Sequence, residues 1–169
     1  SGRVSSKLTI AYKNNSKTTE ENAEYKNYLQ IVLPEGSKVK SVFIDNKEVK
    51  TTKAITDFFV YELKTFKPPK ELEIEERREM NKSIFGLLLN VSPGQIKTLT
   101  FSFDLPYSIS KSEKSVQYSL KFFKQPGIDS YPFDLTFSLP DNYEIVGEPE
   151  SFSGEVVKDQ DFSFIIAQK

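Results

Sequence analysis

The sequence predicts an all-β fold, an antiparallel β-sandwich of Ig-like or Greek-key type with about ten strands. Three observations carry that expectation. Apolar residues recur at every second position through most of the chain, the spacing that puts alternate side chains on opposite sheet faces. The runs have strand length and are separated by Pro, Gly, Asn and Asp, the residues that build turns. No stretch repeats apolar residues at the spacing of an amphipathic helix. The 169 residues are expected to form one sandwich domain over 1–169, with two Ig-like halves, 1–106 and 107–169, as the alternative.

The elements follow in order. Leu8, Ile10 and Tyr12 alternate with Thr9 and Ala11. Leu29, Ile31 and Leu33 alternate until Pro34-Glu35-Gly36 closes their strand. Val42 and Ile44 lead into Asp45-Asn46-Lys47-Glu48, a hairpin turn returning through Val49; Asn tolerates the left-handed backbone such a turn requires, although the favoured following Gly is absent. Phe58–Leu63 reads as a strand ended by Lys67-Pro68-Pro69. Glu71–Met80 fits a charged helix or a half-exposed strand, and the alternation of Leu72 and Ile74 with glutamates favours the strand. Phe85, Leu87, Leu89 and Val91 share a face before Ser92-Pro93-Gly94, and Leu99, Phe101, Phe103 and Leu105 share one before Pro106. Val116–Phe122 and Phe133–Leu139 repeat the pattern, with Pro126-Gly127 as the turn between them. Tyr143–Val146, Gly154–Val157 and Phe162–Ile166 complete the set. Leu29–Val39 also echoes Leu135–Ile145: each is an alternating strand, Leu-Pro, an acid, a turn former and a β-branched residue. The echo reads either as a good way to end a strand or as two similar halves in tandem.

Composition narrows the chemistry. Fourteen Phe and eight Tyr supply enough large apolar surface for a core without metal or disulfide help. A net charge of -1, from 23 basic and 24 acidic residues, gives no electrostatic footprint for nucleic acid. With no Cys and no His, thiolate and imidazole chemistry is excluded within this segment, including the Ser-His-Asp triad and the usual zinc sites. No cofactor is expected. No run reaches the roughly 18 apolar residues of a membrane span, so this segment itself is expected to make no membrane contact. The opening Ser1-Gly2-Arg3 lacks Met and reads as a cloning scar, so the expectation is an excised soluble piece of something longer.

Candidate sites are few. Glu71, Glu73, Glu75, Glu76 and Glu79 form the densest acidic group, but interleaved with Arg77 and Arg78 they read as a solvated face that guards an edge. Asp129, Asp134 and Asp141-Asn142 offer calcium-type oxygens without a binding-loop spacing. A Lys–Asn isopeptide crosslink would require a buried lysine. Asn14-Asn15-Ser16, Asn81-Lys82-Ser83 and Asn90-Val91-Ser92 are glycosylation sequons. The binding candidates are the aromatics at strand ends and turns, Tyr25, Tyr28, Tyr107 and Tyr131, together with Asp129 beside Tyr131. A glycan or protein partner could stack on such rings; the plainer reading of a turn tyrosine is a lid over the core.

A series of motifs resembles the C-terminal, extracytoplasmic β-rich region of an uncharacterised family of membrane-anchored bacterial surface proteins. They are Lys7–Asn15, Tyr25–Ser37, Lys82–Gly86, Val91–Gln95 with Lys97–Phe101, and Lys124–Gly127. The resemblance implies an anchored full-length protein, at the cell surface, with a larger domain before this tail that is similar to enzymes attaching glycopolymers to cell walls. It carries over no catalytic residue. The chain departs from the pattern in lacking Trp near Phe85-Gly86-Leu87, which weakens any aromatic platform there. The expectation is thus a non-enzymatic spacer, support or docking module whose partner is another envelope protein. The alternative is a module binding cell-wall glycan through tyrosines, and a third reading is a hydrolase with two acids roughly 5 to 9.5 Å apart in a cleft.

Overall fold

The computed structural model describes residues 2–17, 24–109, 114–125, 127–147 and 151–169. Among these, thirteen strands and one short helix follow in the order β1 (Gly2–Lys13), β2 (Tyr25–Pro34), β3 (Lys38–Ile44), β4 (Lys47–Val49), β5 (Thr51–Lys53), α1 (Phe58–Glu62), β6 (Leu72–Glu79), β7 (Lys82–Val91), β8 (Ile96–Ile109), β9 (Ser115–Phe122), β10 (Tyr131–Thr136), β11 (Tyr143–Val146), β12 (Ser151–Val156) and β13 (Gln160–Gln168). The all-β expectation holds, and the architecture is that of a β-sandwich. β4 is the return strand expected through Val49, whereas the three-residue β5 lies below what alternation can reveal. The chain divides into two compact units, Arg3–Ser108 and Ile109–Lys169.

In the unit Arg3–Ser108, two four-stranded sheets have the orders β1-β8-β3-β4 and β2-β7-β6-β5. Val42, Leu99, Phe101 and Phe103 of the first meet Ile31, Ile74, Phe85, Leu87, Leu89 and Val91 of the second in one buried cluster. The rings of Phe85 and Phe103, one from each sheet, lie 6.1 Å apart. The faces expected for β7 and β8 are therefore the buried ones, and β6 is a strand, with Ile74 buried. Leu87, Phe101 and Val42 are at most 2% exposed, and burying each such side chain contributes about 2 kcal/mol relative to leaving it in water.

The hairpin expected at Asp45-Asn46 joins β3 to β4, with Ile44 opposite Lys47. Its two loop residues have φ of 49° and 65°, the left-handed pair that matches strand twist in a two-residue loop. A second such loop, at Met80-Asn81 (φ 48° and 58°), joins β6 to β7 with Glu79 opposite Lys82.

The strand expected over Phe58–Leu63 is instead the helix α1. β5 and β6 run parallel, and a parallel pair requires a crossover connection; α1 lies in that crossover. Asp57 starts the helix by accepting the Phe59 N–H on its side chain at 3.1 Å, an N-cap interaction. Phe59, Tyr61 and Leu63 are exposed, so the run fills no slot in a sheet.

In the unit Ile109–Lys169, the sheets are β11-β13-β9 and β10-β12. Their inner faces meet through aromatic rings: Phe133 against Phe122 at 4.4 Å and Phe162 at 5.9 Å, and Phe137 against Phe164 at 4.5 Å. In each unit, the echoed Leu-Pro-acid segment is the turn that takes the chain from one sheet to the other. The Ser37 N–H closes on the Pro34 carbonyl at 3.1 Å, and the Tyr143 N–H closes on the Pro140 carbonyl at 2.9 Å. Pro126 of the expected Pro126-Gly127 turn lies outside the described residues; Gly127 has a φ of 82°.

Candidate functional site on the outer face of the β2-β7-β6 sheet

β6 alternates Leu72 and Ile74 toward the core with Glu73, Glu75 and Arg77 away from it, because successive strand side chains point to opposite faces. Strand pairing sets Gln30 and Glu75 on either side of Gly86. Tyr28, one step along β2 on that outer face, lays its ring across Gly86. A Cβ at position 86 would sit 2.6 Å from the Tyr28 Cζ, so only glycine leaves room for the ring there. The Tyr28 hydroxyl donates to Glu75 Oε2. That hydrogen bond, chiefly, raises the Tyr28 hydroxyl above the ordinary tyrosine value of 10.0; desolvation adds to it, and Gln30 and Arg77 pull the other way.

The next carboxylate on the same face has the same partner chemistry. The Tyr61 hydroxyl, brought over β6 by the α1 crossover, lies 2.8 and 2.9 Å from the two Glu73 oxygens. This bond likewise raises the Tyr61 hydroxyl. Glu73 Oε1 also accepts the Ile55 N–H at 3.1 Å, and the Tyr61 ring meets Phe66 edge-on at 4.9 Å. Two tyrosine–carboxylate pairs thus stand side by side, with Leu88 beside Tyr28 at 73% exposed and Val32 at 48%. The surface offers aromatic and aliphatic contact area, fixed hydroxyls and acceptor oxygens.

The remaining sequence-predicted residues are not brought to this face. Tyr25, three residues before Tyr28, turns to the opposite side of β2, its ring 6.2 Å from Tyr12. Tyr107 is exposed on β8, past Leu105. Asp129 and Tyr131 belong to the other unit. Tyr131 is half-buried, its ring 6.3 Å from Phe122 and its hydroxyl accepting the Gln125 N–H at 3.3 Å, which makes it a lid on the aromatic core. Asp129 is exposed beside it. The Lys124 ammonium ties this loop by donating to the carbonyls of Gln125 and Ile128.

Among the described residues, no three acidic side chains gather closely enough to hold a metal ion, and no helix is long and apolar enough to cross a membrane. The buried polar side chains among them are Asn14, Ser37 and Ser83, without the buried lysine an isopeptide bond requires. An open cleft of about 880 Å³ lies beside β4 and β5, lined in part by Lys40, Glu48, Lys50 and Glu71; of the acidic group Glu71 reaches it, and none of Tyr25, Tyr28, Tyr107, Asp129 and Tyr131 does.

Sequence reasoning missed Gly86, Glu75, Glu73 and Tyr61 as a set. The alternation of β6 placed both glutamates on one face, but their tyrosine partners come from segments 47 and 12 residues away. It also read Asn14 only as a sequon. Asn14 is buried and pins the end of β1 to the β7–β8 turn: its side-chain amide donates to the Val91 carbonyl at 2.9 Å, its N–H to the Gln95 carbonyl at 3.0 Å, and its own carbonyl accepts the Gly94 N–H at 2.9 Å. No protein-family model, curated protein or solved structure matches the chain.

Proposed function

We propose that this chain is a non-enzymatic β-sandwich module of a bacterial envelope protein, lying outside the cytoplasm and docking another protein on the outer face of its β2-β7-β6 sheet. The observation that carries docking is the patch of Tyr28, Val32 and Leu88, exposed on a sheet whose other face is closed over the core. Exposed apolar side chains gathered on one face of a sheet support a contact site there. The envelope setting is supported by the ordered motifs and the family they resemble. Fractionation of the native full-length protein tests it: the expected result is an envelope-bound protein cut by protease added outside the cell, and a protein free in the cytoplasm overturns it.

A second reading, a cell-wall glycan module, is favoured by the Tyr28 ring held over Gly86 beside Glu75, since sugars are held by aromatic stacking and carboxylate acceptors. On this reading peptidoglycan fragments raise the melting temperature, Tyr28→Ala abolishes the shift, and Tyr131→Ala, in the other unit, leaves it in place. A broad glycan panel that shifts nothing removes this reading.

A further inference from the structure

Among the described residues, four strands form the edges of the two sheets in the unit Arg3–Ser108: β1, β4, β2 and β5. An edge strand presents unpaired N–H and C=O groups, and proteins blunt such edges with short strands or with lysine and arginine. β4 and β5 have three residues each. β1 is long, but Arg3, Lys7 and Lys13 stand on its exposed side. β2 is the least protected, with Lys26 and Pro34 only near its two ends. It runs for ten residues, Tyr25–Pro34, with Lys26 as its single charge.

We propose that β2 is a self-association edge, on which the β2 strand of a second copy of this chain adds antiparallel about a two-fold axis through Gln30. An isologous contact of this kind must be self-complementary, and the register decides whether it is. With Gln30 opposite itself, Tyr28 faces Val32 of the second copy on the outer side, and Leu29 faces its Ile31 on the inner side. Within each copy Tyr28 already pairs with Leu88, Val32 with Ile84, Leu29 with Leu87 and Ile31 with Phe85. The two-fold therefore joins Leu88–Tyr28 to Val32–Ile84 as one apolar row across four strands, and Leu87–Leu29 to Ile31–Phe85 as another. Direct cross-strand pairs of aromatic and β-branched residues are the stabilising unit of such a sheet.

Charge agrees with the same register. Lys26 falls opposite Pro34 of the second copy and next to its Glu35, a carboxylate whose neighbour in its own chain is the exposed Arg78 at 3.8 Å. Shifting the strands by two residues in one direction sets Lys26 against the apolar Val32, and in the other sets Tyr28 against Pro34. The outer apolar row thus runs on from one copy into the other across the shared edge, and the outer face itself stays open. This goes beyond the docking reading, because the second copy joins at the β2 edge and not on the outer face, and its failure is separable from that of the envelope setting, which fractionation tests alone.

Sedimentation equilibrium of the full chain, from micromolar to millimolar concentration, reads the outcome directly. The wild type is expected to pass from 19.4 kDa toward twice that mass. Gln30→Lys or Gln30→Glu alone sets like charges opposite each other on the axis and weakens the dimer about fivefold. An equimolar mixture of the two variants sets opposite charges there and restores the dimer. Gln30 is exposed, and melting curves check that each variant folds; Val32→Lys, which blunts the same edge, replaces either variant that melts early. A wild type monomeric throughout overturns the proposal. So does a dimer that the variants leave unchanged, and so does a mixture that fails to recover it.

Discussion

Gly86 shows how a residue without a side chain can organise a site. The gap where its Cβ would stand is what allows the Tyr28 ring to cross β7 and reach Glu75. Because that bond favours the protonated hydroxyl, Tyr28 has a folded value above the unfolded 10.0. Its contribution to stability is complete below pH 10 and is lost as pH rises through the folded value. In Gly86→Ala the half-exposed ring swings aside, so global stability moves by less than about 1 kcal/mol, while the Tyr28 hydroxyl returns toward its ordinary range. Phenolate absorbance, compared between wild type, Gly86→Ala and Glu75→Gln, reads this; a Tyr28 that titrates alike in all three contradicts the account. Tyr28 was a legible candidate, as an aromatic near a strand end. Its dependence on Gly86 and Glu75 was not legible, because the register that aligns three strands is a long-range property.

The elements with both faces assigned by alternation were read correctly. Phe85, Leu87, Leu89 and Val91 all lie in the core, as do Leu99, Phe101, Phe103 and Leu105, because a half-buried strand imposes a period of two on its own sequence. Phe58-Phe59-Val60 has no such period, and a short apolar run does not distinguish strand from helix. The cap of Asp57 was the local signal for helix, and the parallel pairing that puts α1 in a crossover was invisible to any local pattern. At the β3–β4 hairpin, Asp45 holds more than the turn: its side chain accepts the Thr98 N–H at 2.9 Å, and its N–H donates to the Thr98 carbonyl at 2.9 Å. Position 46 has only the left-handed backbone to satisfy. Asn46→Ala should therefore cost about 1 kcal/mol, while Asn46→Gly stays within about 0.5 kcal/mol of the wild type. Urea denaturation midpoints check both, and equal midpoints for the two variants refute the assignment.

At the scale of the whole molecule, the two units close their interiors by different means. Arg3–Ser108 has a wide core of aliphatic residues with Phe85, Phe101 and Phe103, many of them without solvent contact. In Ile109–Lys169 the buried apolar side chains among the described residues are Val156, Phe164 and Ile166, and half-buried rings stacked on one another, such as Phe133 on Phe162, do the rest. Aromatic pairs add about 1 kcal/mol beyond their buried area, which suits a unit with a two-stranded sheet on one side. The abundance of Phe and Tyr was visible from composition. Its use between the inner faces of the two sheets of this unit was foreshadowed by the one-face alternation of Phe133, Leu135, Phe137 and Leu139, all half-buried here.

Asn14 has a consequence for how the protein can be produced. Its sequon reads Asn14-Asn15-Ser16, yet the amide nitrogen that a glycosyltransferase would modify is the one that donates to the Val91 carbonyl in a closed interior. In a eukaryotic secretory host, sugar transfer and chain closure would compete for a single atom. A glycan attached before β1 docks would occupy space the fold has already assigned, so such a host would divide its product between an unmodified native protein and a modified one unable to close its first sheet.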